Sequence, residues 1–201
     1  MTLIIKDTQY RVDFTFGLTV TLMLLLCSED TIFICLLSSM LHETGHLLFM
    51  YAFGQKVESV TFGAFGIRIQ RYSSCVLSYK KEAVIAFGGI LVNFLIAFFS
   101  CLYYYLQGSS FALKLMGVNI IIALFNMIPI EVLDMGRVIR YILLTFAEEN
   151  RCDRILRIIS VIFVNALATA TIFYSVFIGI NVSLIAVTLY LYIITLIKKW
   201  S

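Results

Sequence analysis

The sequence predicts an all-α polytopic membrane protein of about six transmembrane helices, with a small cytoplasmic or re-entrant β-hairpin. Three observations predict it. Of 201 residues, 61% are hydrophobic and 13% charged, with a mean hydropathy of +0.98; soluble domains run near half apolar and a quarter charged. The apolar residues gather into six runs. Six spans of about 20 residues take up most of such a chain, and what is left cannot build a soluble domain of about 100 residues. Finally, the basic residues fall on alternate connecting segments.

The runs cover about residues 14–28, 31–53, 83–106, 111–130, 155–180 and 182–197. The first is short for a span and must borrow from its flanks or tilt in thinned bilayer. It resembles a signal-peptide core, but Lys6, Asp7, Arg11 and Asp13 precede it and no small-x-small site follows at Leu26-Cys27-Ser28. It is read as a retained helix. The whole of 1–201 is expected to form one membrane domain, with core helices over about 31–140 and accessory helices over about 14–28 and 155–197.

Fourteen of the fifteen Lys and Arg residues lie in the N-terminal segment, 54–82, 134–157 and the C-terminal tail. The intervening connections hold only Lys114. By the positive-inside rule the first set is cytoplasmic. The chain is thus expected to be multi-pass in the cell membrane, with both termini cytoplasmic.

Within 56–71, Ser59-Val60-Thr61-Phe62, Gly63, Gly66 and Ile67-Arg68-Ile69-Gln70 read as a hairpin with a glycine-rich turn, an irregular loop being the alternative. Residues 1–14 alternate in part, with Tyr10, Val12 and Phe14 set against Arg11 and Asp13. After Asp134 a helix is expected to run into a polar turn. There is no internal repeat. The net charge of +3 is too small and scattered for a nucleic-acid face. Five dispersed cysteines form no CxxC pair and no disulfide framework.

The chain has two histidines, and they are four apart: His42-Glu43-Thr44-Gly45-His46. On a helix these positions share a face, so two imidazoles can reach one Zn²⁺. Glu43, beside the first, can hold and deprotonate a metal-bound water. Two unrelated histidines in a membrane helix are the alternative. An intramembrane carboxylate costs several kcal/mol on the lower estimates, which favours a functional site. Gly45 lets another backbone approach closely.

A catalytic zinc site takes a third protein ligand and keeps an open position. Without a third histidine or a well-placed cysteine, that ligand must be a carboxylate. Glu131 and Asp134 are the candidates, in a stretch containing the only proline, Pro129. Proline breaks or kinks the span and lets polar groups turn inward. An ordinary helix end with two solvated acids is the alternative. Depth agrees with the first reading. His46 lies 15 residues beyond Thr31, about 22 Å along a helix and roughly 8 Å short of the cytoplasmic edge of a 30 Å core.

Together the motifs resemble the site-2 protease family of intramembrane zinc metalloproteases, which pairs H-E-x-x-H with N-x-x-P-x-x-x-L-D-G. The second motif reads here Asn126-Met127-Ile128-Pro129-Ile130-Glu131-Val132-Leu133-Asp134-Met135-Gly136. Gly88-Gly89-Ile90-Leu91-Val92-Asn93 is similar to the family's glycine-rich segment. The resemblance covers about 31–140, and the short layout is most similar to the stage IV sporulation protein FB branch. It implies one zinc ion held by His42, His46 and Asp134, with Glu43 as general base. Asn126 and Asn93 would bind substrate backbone or support the site. It further implies a membrane-embedded or membrane-associated protein substrate, cleaved in the cytoplasmic half of the bilayer with 56–71 presenting it as an added strand. A regulatory membrane protein is an implied partner.

Three departures stand out. Ile90 replaces the family's proline, Met135 its glycine, and Glu131 is an extra carboxylate expected to face the cytoplasm or act in gating. The PDZ or CBS domains of larger relatives are not expected here. Two rival readings use the same residues: a metal-ion or proton carrier with an intramembrane His/Glu/Asp path, and a catalytically silent binder of a membrane partner.

Overall fold

The computed structural model describes residues 2–5, 8–13, 21, 29–55, 57–63, 66–71 and 77–197. Apart from Thr21, the first predicted run, 14–28, lies outside the described residues. Among those described are four strands, β1 (Thr2–Ile5), β2 (Thr8–Val12), β3 (Val57–Gly63) and β4 (Gly66–Arg71). The helices are α1 (Glu29–Ala52), α2 (Tyr79–Gln107), α3 (Ser110–Asn126), α4 (Asp134–Leu143), α5 (Glu149–Phe177) and α6 (Val182–Ile197). The fold is a mostly helical, polytopic membrane fold. Three helices are long and apolar enough to cross a membrane, over Thr31–Ala52, Tyr79–Gln107 and Glu149–Phe177, and Ser110–Asn126 and Val182–Leu196 are shorter apolar helices. Large apolar side chains such as Phe98, Phe99, Ile162 and Phe173 are exposed, as suits lipid rather than water around them.

The chain divides into two compact units, Met1–Leu124 and Phe125–Ser201. In the first, the predicted hairpin is present: β3 and β4 pair antiparallel, with Gly63 opposite Gly66. It belongs to a larger sheet than the sequence suggests. The order is β1-β2-β3-β4, with β1 and β2 antiparallel and β2 parallel to β3. The partial alternation in residues 1–14 marks these two added strands.

α1 and α2 meet backbone to backbone. A Cβ on Gly45 would lie 2.5 Å from the Gly88 carbonyl oxygen, and one on Gly88 would lie 2.7 Å from the Gly45 oxygen. Only glycine on both sides permits that approach. Ile32, Ile34 and Met50 of α1 and Ile85, Ala86, Ile90 and Ala97 of α2 are buried.

In the second unit, α3 ends at Asn126, short of the predicted run. Pro129 cannot donate to a helical ladder and pushes the preceding residue away from helical geometry. The chain then turns through 127–133 and restarts as α4. This linker is held by its own apolar side chains, Ile130 and Leu133 packing with Val164 of α5 and Leu191 of α6. Paired threonines join α5 to α6, Thr171 Oγ1 lying 2.9 Å from Thr188 Oγ1. Polar first turns start α5 at Glu149, ahead of its apolar stretch. There Arg140 of α4 donates to Asp153 at 2.9 Å and to Glu149 at 2.7 Å. The Asp153 hydrogen bond is the main reason the Arg140 guanidinium is held above its ordinary pKa, against desolvation.

Candidate metal centre

The helical spacing of His42 and His46 puts both rings on one face of α1, with centroids 5.0 Å apart and planes at 86°. Both are buried, at 6% and 4% exposure. Each Nδ1 is already engaged. His42 Nδ1 donates to Asn93 Oδ1 at 3.2 Å, and His46 Nδ1 donates to the Ile85 carbonyl oxygen at 2.8 Å. An oxygen acceptor on Nδ1 keeps the proton there and leaves Nε2 as the lone-pair nitrogen, the usual outer arrangement around a metal-bound histidine. Both Nε2 edges turn toward Gly89 of α2. A Cβ at Gly89 would sit 2.6 Å from His46 Nε2 and 2.7 Å from His42 Nε2. The glycine is therefore the floor against which the two rings lie.

Glu43 follows His42 on the helix and is partly buried. Ser38, one turn before His42, is fully buried and accepts a hydrogen bond from Asn119 Nδ2 of α3 at 2.9 Å. Neither this pair nor the Asn93–His42 contact is apparent from spacing. The trace each leaves in the sequence is a single polar residue inside an apolar run.

Asp134 opens α4 and is 2% exposed. Three contacts fix its surroundings. Arg137 Nη2 lies 3.1 Å from Asp134 Oδ1. The Glu131 backbone N–H donates to Ser160 Oγ of α5 at 2.9 Å. Gly136 meets the Ile130 carbonyl oxygen where a Cβ would stand. The close approach in this turn is made by Gly136.

The group His42, His46 and Asp134 could hold a metal ion. Two imidazoles and one carboxylate are a donor set suited to zinc, with room in the shell for one further ligand. The Nδ1–H tautomers and the Gly89 floor fit that role. Glu131 is not in the group. It lines a cavity of about 520 Å³ with Val132, Arg137, Arg140, Tyr141 and Asp153. Asn126 is the last residue of α3 and half-buried. Asn93 is fully buried against His42.

No protein-family model matches the chain, and no curated protein matches it. A solved structure does: the chain's fold is similar to that of the site-2 protease from Methanocaldococcus jannaschii, at a TM-score of 0.68 and 22% identity, over 96% of this chain and 92% of that one.

Proposed function

We propose that this protein is an intramembrane zinc metalloprotease that hydrolyses peptide bonds in membrane-embedded or membrane-associated proteins. The observation that carries the reading is the buried His42, His46 and Asp134 group with Glu43 next to the first ligand. The likeness in fold to a site-2 protease supports it. His42, His46 and Asp134 hold one zinc ion, which when bound supplies a Lewis acid for the scissile carbonyl. Glu43 takes the proton of the attacking water and returns it to the leaving amine. Asn93 holds His42 through Oδ1, and its buried Nδ2 has no hydrogen-bond partner among the described residues; that donor suits a substrate carbonyl. Asn126, at the proline break, serves substrate backbone nearby.

A helical substrate shields its carbonyls, so it must unwind before cleavage, and pairing with a strand of the sheet lowers that cost. Basic-residue placement supports cytoplasmic termini and a site in the cytoplasmic half of the bilayer. Layout and motifs favour the sporulation branch, and a regulatory membrane protein is a partner that this reading implies.

The test is metal removal and return. Purified protein in detergent or liposomes is stripped with a chelator, reloaded with zinc and incubated with candidate membrane peptides. Cleavage that disappears and returns with zinc supports the protease. Zinc passage into liposomes without cleavage would transfer the site to a carrier.

A further inference from the structure

We propose that α5 carries a seam for a second copy of this chain, with Asn165 of one copy pairing with Asn165 of the other. Ile158, Ile162, Asn165, Thr169, Ile172 and Val176 recur at alternating steps of four and three residues, and all six are exposed. At 3.6 residues per turn they fall in a stripe about 80° wide. This is the spacing at which two helices wind together in a left-handed supercoil, the usual crossing of helices in membranes. The stripe is about 27 Å long, close to the hydrocarbon thickness of a bilayer. Five of the six side chains are β-branched. A helix already restricts their rotamers, so packing them costs little entropy.

Asn165 identifies the occupant. It lies eight residues beyond Arg157, the last charged residue of α5, about 12 Å into the apolar stretch. Its Nδ2 donates one hydrogen to the Val161 carbonyl oxygen at 2.8 Å. Its Oδ1 and second N–H are left without a partner among the described residues, and lipid cannot supply one. An amide is donor and acceptor at once, so a second Asn165 satisfies the first. Copies inserted in the same orientation bring these two residues to the same depth. A closed two-fold contact then makes each helix meet the same surface of the other. Any other helix would need a polar group of its own at that depth. Thr169, one turn on, already donates its hydroxyl hydrogen to the Ala166 carbonyl oxygen at 2.8 Å. It enters the seam as a small side chain that lets the backbones come close.

The experiment reads association in liposomes by energy transfer between donor- and acceptor-labelled protein, over a range of protein-to-lipid ratios. Wild type is expected to pass from monomer to dimer as it is concentrated. Asn165→Leu, which keeps the volume and loses the amide, should weaken the dimer by about 3- to 30-fold. Asn165→Gln should recover most of that. Phe163→Ala, exposed on another face of α5, should leave association unchanged. Cross-linking tests the register: Ile162→Cys should form a disulfide-linked dimer above the background from the five native cysteines, and Phe163→Cys should not. A wild type that stays monomeric at every ratio would overturn the proposal and give the face to a different membrane helix. Unchanged association in Asn165→Leu would also overturn it, as would equal cross-linking at the two cysteine positions. A lower unfolding temperature of Asn165→Leu monomers without rescue by glutamine would mark Asn165 as a structural residue of α5 and sink the pairing.

Discussion

Asn93 Oδ1 lies 3.2 Å from His42 Nδ1, joining residues 51 positions apart in the sequence. The contact sets which nitrogen of His42 carries the proton. Asn93→Ala removes the acceptor, so the ring can turn or change tautomer. Zinc affinity is expected to fall by about 10- to 100-fold, while Asn93→Asp, which keeps an oxygen there, retains most of it. Chelator competition on the three proteins checks this. Equal affinity in Asn93→Ala would detach Asn93 from the metal centre.

Two glycines of the same helix pair separate binding from packing. Gly89→Ala would drive its methyl group to 2.6 Å from His46 Nε2, so the rings must shift and zinc content should drop at least about tenfold. Gly45→Ala would meet the Gly88 carbonyl at 2.5 Å, backbone that cannot step aside. Overpacking of this kind costs about 1–3 kcal/mol, visible as a lower unfolding temperature of the metal-free protein. A Gly45→Ala protein as stable as wild type would contradict the close crossing of α1 and α2.

The tie between α4 and α5 should be modest and insensitive to alkaline pH. Arg140 is 29% exposed and its partners Asp153 and Glu149 are 37% and 69% exposed, so Arg140→Met should cost no more than about 1 kcal/mol. The guanidinium's pKa is raised on folding. A raised group stabilises fully below its unfolded pKa and loses that effect only as pH climbs through the folded value, here far into alkali. The gap in unfolding temperature between wild type and Arg140→Met should therefore be the same at about pH 7 and pH 10. A gap that closes at the higher pH would contradict the sign.

Much of this was legible because it is local. The second apolar run, 31–53, matches α1 (Glu29–Ala52), and the last, 182–197, matches α6, since continuous hydropathy is read one residue at a time. The His42/His46 spacing needs only helical geometry. Pro129 announces the break between α3 and α4, although the helix stops earlier than the apolar run because proline acts on residues before it. Contacts between distant segments left no such trace. The parallel pairing of Gln9 with Ser59 and of Tyr10 with Val60 joins segments about fifty residues apart, and short strands carry weak period-two signals. Ser160 looks like any small residue in an apolar helix until its hydroxyl is found against the Glu131 N–H. Glu131 is a rival third ligand by sequence, and in the structure it lines a cavity with Arg137.

The central claim is that Glu43 acts on water at a zinc ion held by His42, His46 and Asp134. The direct measurement is zinc content and peptide cleavage by wild type and Glu43→Gln, purified side by side. The account predicts equal zinc in both and cleavage reduced at least about 100-fold in the variant. Cleavage by Glu43→Gln at the wild-type rate would contradict it.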